Sequence, residues 1–469
     1  MSNNALDYYF LNTTDLAMSA EVLNADGSVL KYLPDIKNSV ASFCKGNSAL
    51  PSQTTGSVTI NAGTTELSES INGLTGTSSG LLSDMMQTPS IIADNYNLSY
   101  GFFDAAAEAV LGLTDQDQIY AYLTPPQQNW MGDLVLKNPE VKGVPFSTFA
   151  LPGAHDSGTF DLTAVKNLLD DVEFVALLAG YYGEELIDVL SSVALNVVTG
   201  EAVTQKDDIP TMLNLGCRYF DFRPGMMPSP LNVILPDIYH IHAVIPGHTF
   251  NSFLTDILTW LNGNPSEIVV VNLQTAGFLD VIAIPTVSQL QTALESAQIQ
   301  TGTQFIQIGS AEDLQKTYGE LVSKNKRLFF LNTSPEFTGW NPASKYDSYI
   351  GDNYCTNNPV KIINALEKMN TKGQLDNTYT VLQLQGTVTG QNIKFSEFEI
   401  IASLMVSTSN AYRPLLSTKA LFDSKTYPWL LNNVSKNLSN NQLLVMLNDF
   451  VDNGLATVAS SLTLERCNS

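Results

Sequence analysis

The sequence predicts an α/β protein, a TIM-like β/α barrel that is distorted or incompletely closed, preceded by a small β-rich N-terminal domain. Three observations lead there. Past Trp130, apolar runs of strand length alternate with helical patterns of ten or more residues. Those runs are nearly continuous in apolar residues rather than alternating, as in parallel strands covered on both faces. Before residue 70, by contrast, short segments alternate apolar and polar residues between turn signals.

Taken in order, "SAEVLNADGSVLKYL" carries an Asp-Gly hairpin signal, and "GSVTINAGTTEL" alternates Val58 and Ile60 with polar neighbours. Residues 1–70 are therefore expected to form the β-rich domain. Residues 71–127 are expected to be a linker and connecting segment, because Glu69 to Ser90 is rich in Gly, Ser and Thr. Residues 128–469 are left for the barrel. Its strands are expected at 146–153, 217–223, 238–244, 267–274, 327–332, 379–386 and 443–451. Between them, "FNSFLTDILTWLNG" places Phe250, Leu254, Ile257, Leu258 and Leu261 on one helical face, with Gly263 as a stop. Seven strands over this length fit a barrel better than an open sheet, with a doubly wound sheet as the alternative.

Composition narrows the function classes. The 23 Lys and Arg stand against 46 Asp and Glu, a formal charge of −23, which repels nucleic acid at long range. Screening confines each charge to roughly 8–10 Å, so transient contact with a membrane surface through local apolar residues stays open. Phe174 to Val198 is strongly apolar but interrupted by Glu184, Glu185 and Asp188, which suits core-packed helices, with a membrane-touching lid as the sharper reading. No transmembrane helix is expected. The N-terminus lacks a basic region followed by an apolar core, so the chain is expected to be cytoplasmic, or secreted with its signal absent. Four scattered cysteines without a C-x-x-C pair argue against structural zinc.

The chemistry gathers at strand ends. "FALPGAHDSGTF" sets His155 and Asp156 side by side after a Pro-Gly turn. In "CRYFDFR", Tyr219, Asp221 and Arg223 share one strand face; in "IYHIHAV", His240 and His242 share one; in "VVNLQ", Asn272 and Gln274 do. Polar pairs on otherwise apolar strands either satisfy one another or line a solvated site. Each of the three histidines alone would read as an ordinary satisfied side chain. Their coincidence with an Asp-x-Arg pair favours a site in which two imidazoles serve as base and acid and a guanidinium holds a phosphate.

These motifs, "LPGAHDSGTF", "Q…IPTMLNLGCRYFDFRPG", "HIHAVIPGHTF" and "NPSEIVVVNLQ", with Asn129–Trp130 and the terminal "VMLNDFV", resemble the catalytic X-domain of phosphatidylinositol-specific phospholipases C, particularly the bacterial metal-independent kind. The resemblance covers roughly residues 128 to 460. It implies a phosphodiesterase that cleaves phosphatidylinositol-like head groups through a cyclic phosphodiester, with a phospholipid or related phosphodiester as substrate. It implies His155 as general base, His242 as general acid, Asp156 as support for that acid and partner of Arg223, Arg223 as the phosphate holder, and Asp449 as the group that orients His155. The metal-dependent branch carries Asn after the first His and acids in place of Arg223, so no metal or other cofactor is implied here. Asn272, Gln274, Lys345 and Gln383, with Tyr346 and Gln385 nearby, are candidate head-group contacts. The chain departs from the family at Ala243, where relatives read Gly after the acid, and in the long interval between Asp156 and Arg218.

Two other readings stay open on the residues alone. One is a divalent-metal phosphodiesterase of the glycerophosphodiester or sphingomyelin type, which needs clustered acids at strand ends. The other is a non-catalytic membrane- or carbohydrate-binding protein. The sequence leaves the oligomeric state undetermined.

Overall fold

The computed structural model describes residues 5–49, 56–72, 77–80, 89–103, 117–168, 174, 176, 203–340, 344, 346–347, 358–370, 378–386 and 416–468. The first part of the chain forms ten strands: β1 (Ala5–Asn12), β2 (Met18–Leu23), β3 (Val29–Leu33), β4 (Cys44–Ala49), β5 (Gly56–Ala62), β6 (Thr65–Asn72), β7 (Thr77–Gly80), β8 (Ile91–Ile92), β9 (Asn97–Phe103) and β10 (Asp117–Thr124). They make two five-stranded sheets, in the orders β4-β1-β10-β9-β8 and β3-β2-β5-β6-β7.

The β-rich region thus runs beyond residue 70. Part of the Gly/Ser/Thr-rich stretch expected as a joint is strand: β5 pairs with β6, and β6 with β7. Strands β9 and β10, expected within a connecting segment, pair with each other, and β10 lies parallel to β1. The reason is that this first sheet is buried on both faces. Leu6, Tyr8 and Phe10 of β1, with Ile119, Ala121 and Leu123 of β10, pack against the second sheet around Val58, Ile60 and Leu67. Their alternate neighbours Tyr9, Leu11, Tyr120 and Tyr122 pack into the core of the barrel. A strand with two apolar partners shows no polar alternation to read.

The barrel is built from β11 (Ala150–Ala154), β12 (Tyr219–Phe222), β16 (Val269–Leu273), β17 (Gln307–Gly309), β18 (Lys326–Asn332), β19 (Tyr346–Asp347), β20 (Tyr379–Gln383) and β21 (Leu443–Asn448). They form one sheet in the order β17-β18-β16-β12-β11-β21-β20-β19, with every described pairing parallel. The last strand lies beside the first, in register from Ala150↔Leu444 to Ala154↔Asn448. A parallel sheet in which the first and last strands of the chain pair side by side is that of a TIM-like β/α barrel, here incompletely closed among the described residues, where β17 and β19 are its two ends. The surrounding helices are α1 (Trp130–Lys137), α2 (Thr163–Leu168), α3 (Ile209–Asn214), α4 (Phe250–Gly263), α5 (Val287–Thr301), α6 (Tyr318–Ser323), α7 (Pro359–Asn370), α8 (Leu416–Asn437) and α9 (Asn453–Cys467). None is long and apolar enough to cross a membrane.

One expected barrel strand is something else. "IYHIHAV" gives β14 (Tyr239–His242), the middle of a three-stranded antiparallel sheet with β13 (Pro224–Gly225) and β15 (Ile245–Thr249). Ala243, at a φ of 56°, turns the chain straight back onto Ile245, so β14 ends in a hairpin and not in a helical crossover. The two short strands β17 and β19 fall below the length at which an apolar run is readable. Most of the apolar segment Phe174 to Val198 lies outside the described residues; Phe174 itself is buried with Leu168, Leu231 and Ile241.

At the end of the barrel away from the imidazoles, one buried ion pair joins several elements. Arg218 Nε and Nη2 donate to Glu267 Oε2 at 2.9 and 2.7 Å, and Nη1 donates to the carbonyls of Leu213 and Cys217. Its guanidinium lies 4.5 Å from the ring of Trp260, and Glu267 Oε1 accepts from Gly132 N of α1 at 3.0 Å. Both side chains are fully buried. Removing one partner of such a pair leaves a buried charge uncompensated. Glu267→Gln is expected to lower unfolding stability by roughly 3–5 kcal/mol in urea titrations; a loss under about 1 kcal/mol would show that water or the carbonyls already satisfy Arg218.

Candidate active site

The two strands that begin and end the barrel both turn sharply at the same level. Past the last ladder pair, Asp156 adopts a φ of 44° and Phe450 a φ of 47°. His155 and Asp449 therefore sit at matching positions where adjacent strands leave the sheet. His155 Nδ1 lies 2.8 Å from Asp449 Oδ1. With the Nδ1 proton donated to that carboxylate, Nε2 is the ring nitrogen that faces the site and gains or loses a proton there.

Asp156 is fully buried and is the centre of the cluster. Its Oδ1 is 2.7 Å from Arg223 Nε and 3.5 Å from His240 Nε2. Its Oδ2 is 3.3 Å from His155 Nε2 and 3.7 Å from His242 Nε2. Arg223 comes from the end of β12, and the antiparallel sheet brings in the other two rings. Arg223 N donates to His240 Nδ1 at 3.2 Å, fixing that ring as the tautomer whose Nε2 proton points to Asp156. Arg223 Nη1 donates to the carbonyl of Ala276 at 3.1 Å, and Nη2 lies 3.3 Å from both Asp221 Oδ2 and His155 Nε2.

All five residues expected to carry chemistry, His155, Asp156, Arg223, His242 and Asp449, thus stand within one cluster. His240 and Asp221 complete it. Both were visible in the sequence only as same-face neighbours of His242 and Arg223. Of the expected head-group contacts, Gln274 reaches the cluster by donating to Asp221 Oδ1. Asn272 lies deeper, accepting from Tyr379 and Thr333, and Gln383 accepts from Gln385. Lys345 lies outside the described residues. The fourth histidine, His248, is away from the cluster, held by Asp161 at 2.9 Å.

The electrostatics of the two reactive rings diverge. Burial works against a charged His155, but the carboxylates of Asp156 and Asp449 outweigh it and hold the imidazolium up to about 9. Desolvation pushes His242 down to about 4, with Asp156 only partly opposing it and Arg223 adding to it. Burial would raise Asp156, yet Arg223 and His155 keep it well below the usual carboxylate range. Asp449 is raised by burial, with His155 pulling the other way. Both rings contact the same Asp156 oxygen, so the pair behaves as one coupled acid that carries a single proton across the neutral range. One imidazole with its proton and one without, beside a guanidinium, can move a proton off one oxygen and onto another across a phosphodiester.

No protein-family model matches the chain. Among curated proteins, the PI-PLC X domain-containing protein 1 of Mus musculus is 27% identical over 147 residues, covering 31% of this chain and 38% of that protein. Its Homo sapiens counterpart is 27% identical over 144 residues, covering 31% of the chain and 41% of that protein. The matched stretch therefore spans about two fifths of those relatives' length. Among solved structures, a phosphatidylinositol-specific phospholipase C of Staphylococcus aureus aligns with a TM-score of 0.42 at 16% identity, over 72% of this chain and 97% of that one. That of Listeria monocytogenes aligns with a TM-score of 0.41 at 13% identity, over 72% of this chain and 98% of that one. With strand ends that bring its His-Asp, Asp-x-Arg, His-x-His and Asn-Asp motifs to one cluster, the chain resembles the phosphatidylinositol-specific phospholipase C X-domain family.

Proposed function

We propose that residues 128–469 form a metal-independent phosphodiesterase that cleaves phosphatidylinositol-like phospholipids through a cyclic phosphodiester. The observation that carries this reading is Asp156, a buried carboxylate that joins Arg223, His155 and His242 within 2.7 to 3.7 Å. Arg223, only 12% exposed and braced by Asp156 and Asp221, sets its guanidinium charge where a phosphate can pair with it. His155 Nε2, with Nδ1 tied to Asp449, takes the proton of the substrate hydroxyl next to the phosphate. That oxygen attacks phosphorus, and the bond to the diacylglycerol oxygen breaks as His242 supplies its proton. The phosphoryl group closes onto the ring, so no water enters this step and charge balances throughout.

The protonation state suits this sequence. In the free site the shared proton rests on His155. A bound phosphodiester anion beside His242, whose side chain is 29% exposed, favours imidazolium there, which frees His155 to act as base. Transient contact with a lipid surface follows from such a substrate. The first test is hydrolysis of phosphatidylinositol in mixed micelles under excess chelator, followed by phosphorus NMR. A cyclic inositol phosphate is the expected product; cleavage only after a divalent metal is restored would overturn the reading.

Four outcomes follow for the site. His155→Ala and His242→Ala are each expected to lower turnover by roughly two to four orders of magnitude. Arg223→Lys is expected to be severe too, because a point charge lacks the planar fork. The pH profile of kcat/KM is expected to be a bell. Below about 4 both rings are protonated and no base exists; above about 9 both are neutral and no acid exists. Asp449→Asn removes one carboxylate that holds the last proton, so its alkaline limb should move to lower pH; an unmoved limb would show that His155 does not set it.

A further inference from the structure

We infer that Gln205 is the positioning residue of the His155–Asp449 dyad, a role that rests on the proposed base function of His155. The dyad lies just past the final ladder pair, where His155 N still donates to the Asn448 carbonyl at 3.1 Å. From there both strands turn away, and no further sheet bond between them fixes the separation of His155 from Asp449.

Gln205 bridges that gap with one side chain. Its Nε2 donates to the His155 carbonyl at 2.9 Å and to the Asn448 carbonyl at 3.1 Å, while its Oε1 accepts from Val451 N at 3.0 Å. Both donors and the oxygen of a buried amide, 1% exposed, are thus engaged across the two turns. Thr204 reinforces it: Oγ1 donates to the His155 carbonyl at 2.8 Å, and its own carbonyl accepts from Phe450 N at 2.6 Å. The strap is held in place from the other side by the N-terminal region. Lys206 Nζ lies 4.7 Å from the ring of Tyr100, and Asp207 accepts from Ser90 N and Oγ at 2.6 and 2.7 Å.

A side chain that spans both turns sets the Nδ1 to Oδ1 contact, and that contact helps hold the His155 proton. Gln205→Met keeps volume and removes all three hydrogen bonds. In the full chain with labelled histidine, its His155 titration, followed by NMR without substrate, is expected to fall from about 9 toward 6.5 while His248 keeps its own midpoint. Glu267→Gln, distant and destabilising, should leave His155 unmoved. On phosphatidylinositol micelles, Gln205→Met should lower kcat by roughly 10- to 100-fold with KM within about 3-fold, the expected cost of a small misplacement. If the variant does not fold, Thr204→Val loses one donor to the same carbonyl and should shift His155 by a smaller amount in the same direction. A His155 midpoint unchanged in the folded variant, or shifted equally by Glu267→Gln, overturns the assignment. Because the titration needs no turnover, a shifted midpoint in a protein inactive on phosphatidylinositol would uphold the positioning role and refute the substrate.

Discussion

The candidate site depends on one buried charge. Asp156 has no exposure to solvent, and an isolated carboxylate in that position would be strongly disfavoured. It persists because Arg223 and the imidazoles of His155, His240 and His242 converge on it from three separate segments of chain. Convergence needs the left-handed turn at Asp156, the Asp-x-Arg alternation on β12 and the hairpin that lays β14 across the barrel mouth. The same carboxylate that organises the cluster also distributes its proton, since both rings contact Oδ2. Structure and reactivity therefore share a single constraint.

Behind the dyad lies a second buried polar network. Lys419 Nζ sits 2.7 Å from Asp423 Oδ2 and 2.5 Å from Asp452 Oδ2; Tyr427 also donates to Asp452, and Tyr122 of β10 to Asp423. Asn448, the residue before Asp449, donates to Asp423 and uses its own Oδ1 to accept from Asp449 N. Asp452 caps α9 by accepting from Leu455 N. Buried polar networks of this kind favour one arrangement, because a shift leaves further buried polar groups unpaired. The N-terminal sheet enters it through Tyr122, and Asn453 donates to the carbonyls of Asn97 and Tyr122. That sheet is therefore part of the wall that carries Asp449, which explains why both its faces are apolar.

What could be read from the sequence divides along physical lines. The barrel strands 267–274, 327–332, 379–386 and 443–451 were legible within a few residues, since buried parallel strands are long apolar runs. The cluster was legible because period-two alternation puts Asp221 with Arg223 and His240 with His242. The hairpin nature of β14 was not, because the left-handed turn at Ala243 carries no glycine to announce it. Strands β9 and β10 were missed for the opposite reason to most errors: "NLSYGFF" and "DQIYAYLT" have apolar partners on both sides and so lack alternation. Gln205 stood in a recognised motif, yet its role depends on two carbonyls that only the fold brings together.

The same geometry bears on the metal-dependent alternative. His155, Asp156 and Asp221 offer ligand atoms within 4.8 Å of one another, a set that could hold a cation. The guanidinium of Arg223 touches all three: Nε is 2.7 Å from Asp156, and Nη2 is 3.3 Å from Asp221 and from His155. A divalent ion drawing on the same atoms would have to displace that guanidinium or lie against it, and two cations at that separation repel strongly in a site with little water. The positive charge of the cluster is supplied by a side chain that stays protonated and that is fixed by two carboxylates and a carbonyl. A metal in the place of that arginine would have to break the contact between Asp156 and Arg223 on which the whole cluster rests.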